Sequence, residues 1–225
     1  MTDTNTLLPA AAPETPASDA RQAEPVSLLG VIWELVQTVV MAVVIFLLIR
    51  NVIQNYRVEG ISMEPNFHNG QFLIVNRFAY CPGAHLEIKP LDIHLERVWC
   101  VRQPQRGDVI VFEYPRDPSR DFIKRVIGLP GETIEVKSGR VYVNGRLMPE
   151  PFGPNPGSYT AGPVVVPPGE VYVMGDNRNN SSDSHMWGPL PQRLIIGKAL
   201  VSYWPPQHWS LVPSYDLNNF AVARL

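Results

Sequence analysis

The sequence predicts a mainly β fold carried behind one apolar helix, and three observations predict it. Residues 28–50 form a membrane-length run almost without charge. Beyond it, short stretches rich in Val, Ile, Phe and Tyr alternate with turn residues, the pattern of strands rather than of helices. The 23 prolines and 16 glycines among 225 residues suit strands joined by turns better than a helical bundle. Hydrophobic residues make up 45% of the chain, enough for a sizeable core. A net charge of -2 and the absence of a basic run exclude an electrostatic nucleic-acid surface, so nucleic acid is not an expected partner.

In chain order, residues 1–27 are mostly Ala, Pro, Thr, Glu, Asp and Ser, too poor in large apolar groups to offset the entropy of ordering. A disordered tail is expected there. Residues 28–50, at 1.5 Å per residue, make a helix of roughly 35 Å, sufficient to cross a hydrocarbon core. Acidic residues before the run and Arg50-Asn51 after it, where small cleavage-site residues would lie, speak against a cleaved secretory signal. A single transmembrane helix anchored in the bilayer is therefore expected. Arg21 alone precedes it while Arg50 and Arg57 follow, so flanking charge by itself would leave the globular part in the cytoplasm.

Residues 51–225 read as one β-rich domain. Residues 56–58 and 71–75 are expected strands on either side of a turn at 60–65. Residues 81–100, from Cys81 to Cys100, break the pattern and read as an inserted lobe. Strands return at 108–112, 122–127, 133–136 and 140–143. The last two form a hairpin through Lys137-Ser138-Gly139, with Asn144-Gly145 following. Residues 149–168, rich in Pro and Gly, read as a long loop, and strands at 170–174 and 195–203 close the domain.

The hexapeptide Gly60-Ile61-Ser62-Met63-Glu64-Pro65 holds a serine hydroxyl between a glycine that loosens the backbone and a proline that stiffens it, a way to present a nucleophile. Of the four lysines, Lys89, Lys137 and Lys198 sit in polar or turn-like surroundings. Lys124 instead lies in F-I-K-R-V-I, where alternation places it on one face with Phe122 and Val126. Burial there would lower its pKa and make it a usable base. Among the histidines only His185, in S-S-D-S-H, stands beside a serine and an aspartate, and one short loop does not hold relay geometry. Cys81, His85, His94 and Cys100 permit a metal reading with poor spacing for zinc. Two cysteines bracketing one irregular segment beyond a membrane anchor favour a disulfide, Cys81 to Cys100, with two free buried thiols as the other alternative. Arg106-Gly107-Asp108, directly before a strand, reads as a turn rather than an adhesion tripeptide.

Taken together, G-I-S-M-E-P, R-G-D-V-I-V-F with D-F-I-K-R-V-I-G-L-P-G-E, and G-D-N-R-N-N-S-S-D-S resemble the signal peptidase I family, over most of residues 31–203. The resemblance implies a largely antiparallel β catalytic domain. It implies Ser62 as nucleophile, Lys124 as general base, Ser181 as the serine that orients the lysine, and Asp176, Arg178 and Asp183 as residues that hold the site together. Val58, Met63, Phe67, Phe122 and Ile123 match apolar substrate-binding positions. It implies no metal or organic cofactor, secretory precursors as substrates, and a catalytic domain on the extracytoplasmic side of the cell membrane. On orientation the resemblance is followed over the sparse flanking charges. The sequence departs from the pattern at Gly60, where some members carry a serine that donates to the oxyanion, at Asn179, where some carry an aspartate, and at His185, where an arginine would pair with Asp183. Two other classes compete: a self-cleaving Ser/Lys protein, which lacks its DNA-binding helical domain here, and a membrane-tethered β binding module, for which Ser62 and Lys124 would be dispensable.

Overall fold

The computed structural model describes residues 28–80, 85–88, 93–96, 102–213, 215 and 217. The chain divides into two compact units, residues 1–44 and 45–225. Helix α1, Leu28–Val52, supplies the described part of the first. Its stretch Leu28–Leu47 has a mean hydropathy of 2.2, and apolar side chains such as Ile32, Trp33, Met41 and Leu35 are exposed all round it. A helix apolar on every side and this long is suited to span a bilayer. Thr38 turns its hydroxyl back onto the Glu34 carbonyl at 2.8 Å, so that polar group is satisfied within the helix. The helix runs two residues past position 50 because no Gly or Pro stops it before Ile53.

The second unit is β-rich. Its strands are β1 (Ile53–Arg57), β2 (Phe72–Asn76), β3 (His85–Ile88), β4 (Ile93–Glu96), β5 (Val109–Tyr114), β6 (Asp117–Gly128), β7 (Thr133–Lys137) and β8 (Arg140–Val143). They continue with β9 (Arg146–Leu147), β10 (Ala161–Val165), β11 (Glu170–Met174), β12 (Leu190–Pro191), β13 (Ile195–Trp204) and β14 (Ser210–Leu211), and a one-turn helix α2 (Ser184–Trp187) lies between β11 and β12. The large sheet has the order β1-β2-β13-β5-β6-β11-β12, with β14 on β13, and its pairs are antiparallel. A second sheet has the order β10-β7-β8-β9.

Strand β5 shows why the large sheet is stable. Val109 and Val111 point into one buried cluster with Leu73, Val75 and Ala199, and Ile110 and Phe112 point into another with Val126, Val171 and Val173. Its four consecutive apolar residues, 109–112, are thus buried on both faces, and the strand meets solvent only at its Glu113-Tyr114 end. A third cluster, around Ile134, Val136, Val141 and Val143, fills the inner face of the small sheet and takes in Ile127 and Met174 from the large one. Its hairpins turn as the sequence expects: Ser138 and Gly139 have φ of 48° and 76°, and Asn144 and Gly145 have 51° and 75°, the left-handed pairs of tight β-turns.

Two sequence expectations are corrected. The loop expected at 149–168 contains β10, which pairs with β7, and the insert carries the antiparallel ladder β3–β4 in place of wholly irregular chain. What positions the site is a pair of open strand edges. Among the described residues, strand β1 pairs only with β2, and β11 covers β6 only from Arg125 onward, so residues 117–124 of β6 have β5 on one side alone.

Candidate active site

Ser62 is held by a loop anchored from beneath. Gly60 takes φ of 87°, and its N–H donates to Asn69 Oδ1 at 3.0 Å. Backbone bonds Glu64 N–H to Ile61 O and Phe67 N–H to Met63 O then tighten the chain into a turn. Met63 and Phe67 are 1% and 4% exposed and sit in the cluster with Val58 and Leu73, so the turn cannot shift without opening the core. From the other side, the Asn177 backbone N–H donates to Ser62 O at 3.0 Å and its side-chain amide donates to Ile61 O at 3.2 Å. The Ser62 N–H donates to no backbone acceptor among the described residues.

Lys124 reaches this serine from β6, where it stands opposite Ile110. It is 4% exposed, and its Nζ lies 2.7 Å from Ser62 Oγ and 2.8 Å from the Ile123 carbonyl. Burial pushes the amine down from 10.5 to about 8, against the opposing pull of the Asp183 and Asp176 charges. An amine with that pKa is a base near neutral pH, already touching the hydroxyl it would deprotonate.

The supporting residues form a buried polar frame around Gly175. Asp176 receives Arg125 through two bonds, Nε at 2.9 Å and Nη2 at 2.7 Å, and the Asn66 amide at 2.9 Å. Both members of this ion pair are buried, and each is compensated by further bonds, Arg125 also donating to the Gly107 carbonyl at 2.9 Å. Arg178 donates from Nε to the Gly175 carbonyl at 3.1 Å and pairs with Glu150. Asp183 accepts the Gly175 N–H at 2.9 Å. Gly175 is required for space: a β-carbon there would lie 2.5 Å from Ser62 O and 2.6 Å from Ser181 Cβ. The Ser181 hydroxyl is buried with no hydrogen-bond partner among the described residues, so in this geometry it flanks the dyad without bonding to Lys124.

Between the two open edges lies a cleft of about 530 Å³, with Ser62 and Lys124 among its lining residues. Of the five expected substrate-binding residues, Val58, Phe122 and Ile123 line it. Met63 and Phe67 do not; they are core residues that hold the nucleophile loop. Tyr56, Asp121, Asn180 and Ser182 line the cleft and were not singled out by sequence.

Other expectations are redrawn. Lys198, read as polar surface, is 7% exposed and bonds Asp108 at 2.6 Å, while Arg102 and the Tyr80 hydroxyl converge on the same carboxylate. His185 does not remove the partner of Asp183: its Nδ1 lies 2.6 Å from Asp183 Oδ1. Cys81 and Cys100, and with them the disulfide and the zinc alternative, lie outside the described residues. Arg125, Asn66 and Asn177 were missed. Arg125 and Asn177 adjoin Lys124 and Asp176 within the very motifs that were read, and that adjacency was the available signal.

Comparison with known proteins adds an independent line. A family model described as "Signal peptidase, peptidase S26" matches residues 32–204. A "Probable signal peptidase I-1" of Synechocystis sp. is 38% identical over 199 residues, covering 85% of this chain and 90% of the relative. A "Signal peptidase I" of Leptolyngbya laminosa is 37% identical over 201 residues, covering 86% and 89%. A "Signal peptidase I" of Pseudomonas aeruginosa is 35% identical over 207 residues, covering 73% and 70%.

Proposed function

The chain belongs to the signal peptidase family, peptidase S26, and on that premise we propose that Ser62 and Lys124 carry its hydrolytic chemistry. It is a hydrolase, a serine endopeptidase of the signal peptidase I kind, and its activity is the removal of signal peptides from precursor proteins. The observation that carries the dyad is the 2.7 Å contact between Ser62 Oγ and a lysine amine that is 4% exposed.

The geometry supports the following course. While Lys124 is an ammonium it donates to Ser62 Oγ. Once neutral it keeps one N–H on the Ile123 carbonyl and turns its lone pair to the hydroxyl, which then donates to Nζ. Ser62 Oγ attacks the scissile carbonyl carbon as its proton passes to Nζ. The resulting oxyanion is met by backbone N–H groups such as that of Ser62. Collapse breaks the C–N bond, the Lys124 ammonium returns the proton to the leaving amine, and the signal peptide remains as an ester on Ser62. Water then attacks this acyl-enzyme with Lys124 again as base, releasing the carboxylic acid and restoring the serine. Every step is completed by this chain's own groups and water. Ser181, by the family resemblance, serves to orient the neutral amine, while the frame of Asp176, Arg178 and Asp183 fixes Gly175 and with it the backs of Ser62 and Ser181.

The precursor lies extended between the open edges of β1 and β6, adding main-chain bonds to a sheet that has no neighbour there among the described residues. Val58, Phe122 and Ile123 line this cleft with apolar surface and so favour small apolar side chains near the cleavage point. Helix α1 anchors the enzyme in the plasma membrane as a single pass, with the β-rich unit on the extracytoplasmic side, where precursors emerge. The test is to incubate the detergent-solubilised chain with a precursor bearing an Ala-x-Ala site and to determine the product's new N-terminus. Cleavage directly after that site by the wild type, and none by Ser62→Ala, is expected. Cleavage by Ser62→Ala at the wild-type rate would reject the nucleophile.

A further inference from the structure

Asp183 is 0% exposed and both its oxygens are engaged: Oδ2 accepts the Gly175 N–H at 2.9 Å, and Oδ1 lies 2.6 Å from His185 Nδ1. The same Oδ1 accepts the His185 backbone N–H at 3.2 Å and so caps α2. The imidazole is held from its other face by the Tyr159 ring, 4.4 Å away and tilted by only 24°. It is therefore fixed on two sides, by a carboxylate at its edge and an aromatic ring on its face.

This arrangement reaches the dyad through charge. Of the two carboxylates that act on Lys124, Asp183 exerts the larger pull. A positive charge at His185 opposes that pull, and a neutral ring leaves it whole. Other charged or titratable groups face the pair. Tyr159 and Tyr172 have phenols pushed up by burial first and by Asp183 next, Arg178 is paired with Glu150, and Arg116 donates to the Met186 carbonyl at 3.2 Å. Among the described residues only His185 places an ionisable side chain in direct contact with the Asp183 carboxylate.

We propose that His185 is a positioning residue of the reaction, which holds the Asp183 carboxylate on Gly175 and, through that carboxylate, sets the electrostatic environment of Lys124. The proposal rests on the reading of Lys124 as general base. It is distinct from a histidine triad, because the imidazole touches neither Ser62 nor substrate in this role.

The test compares His185→Arg, His185→Gln and His185→Ala in the full-length enzyme in detergent, following kcat/KM for precursor cleavage against pH. Arg keeps a permanent cation beside Asp183, whereas Gln keeps a neutral hydrogen-bonding group. The limb governed by Lys124 should lie at lower pH in the Arg variant than in the Gln variant by roughly half a unit, the scale of one added charge in a partly solvated site. His185→Ala should lower kcat roughly tenfold, as for one buried hydrogen bond lost beside the base, and His185→Arg should recover most of that loss. Coincident limbs in the Arg and Gln variants would overturn the proposal. That comparison stands even if the Ala variant fails to fold. Wild-type turnover by Lys124→Ala is the separate result that would remove the underlying reading of the base.

Discussion

Replacing Lys124 by methionine removes the amine while keeping an unbranched chain of similar length, and the structure assigns the change a sign and a size. Burial holds the amine at about 8 rather than 10.5, a difference of about two and a half pH units, equivalent to roughly 3 kcal/mol. Below about pH 8 the lysine is charged in both folded and unfolded chains, so the folded state bears the whole cost of burying an ammonium. Between about 8 and 10.5 the unfolded chain binds the proton and the folded chain does not, so stability rises with pH. Above 10.5 both are neutral and the cost is gone. Lys124→Met should therefore stabilise the fold at pH 7. The lost N–H bond to the Ile123 carbonyl and the lost bond to Ser62 Oγ subtract about 1 kcal/mol each, leaving a gain of roughly 1 kcal/mol. For a chain of this size that is a rise of about 2–4 °C in Tm, read by circular dichroism in detergent. The gain should shrink as pH approaches 10.5 while cleavage stays absent throughout. A variant no more stable than the wild type at pH 7, or a gain independent of pH, would refute the argument that the site stores a desolvated lysine.

Three other outcomes follow from the same geometry. The wild-type kcat/KM should rise with pH along a limb near pH 8, below the range of an exposed lysine, and a pH-rate profile on a precursor substrate measures it. Gly175→Ala should abolish cleavage and lower Tm, because its methyl group would displace Ser62 O and Ser181; near-normal kcat would show that the crowding is relieved elsewhere. Cys81 and Cys100 are expected to be joined, closing a loop of about 20 residues worth roughly 3 kcal/mol in the chain-entropy account. Thiol titration of the denatured, unreduced protein should then find no thiols, and two would reject the bridge together with the oxidising location it implies.

Much of this fold is legible because its strands obey local rules. Residues 109–112 are apolar throughout and open β5, buried on both faces, and the Ser138-Gly139 and Asn144-Gly145 pairs announce the turns that they make. Strand β10 is hidden because Gly162 and Pro163 interrupt it like a loop, and it exists only through pairing with β7, some 25 residues earlier in the chain. The chemistry divides in the same way. Lys124 is marked by alternation within its own strand, but Lys198 depends on Asp108, 90 residues away, and no local pattern carries that information. The family resemblance places Met63 and Phe67 among the apolar substrate-binding positions. A tight turn after the nucleophile instead directs them into the core, and only the three-dimensional path shows which way they point. The Asp183–His185 contact was discounted because histidine replaced the arginine of the pattern, although a ring nitrogen two residues on reaches the same carboxylate.

The central claim, that Ser62 is the nucleophile and Lys124 its base, is tested most directly by initial rates of precursor cleavage for wild type, Ser62→Ala, Lys124→Ala and Lys124→Arg, measured together on samples with matching circular dichroism. All three variants should be inactive, Lys124→Arg included, since a guanidinium remains charged at any usable pH and cannot accept the serine proton. Turnover at the wild-type rate by either alanine variant, or rescue by arginine, would contradict the dyad.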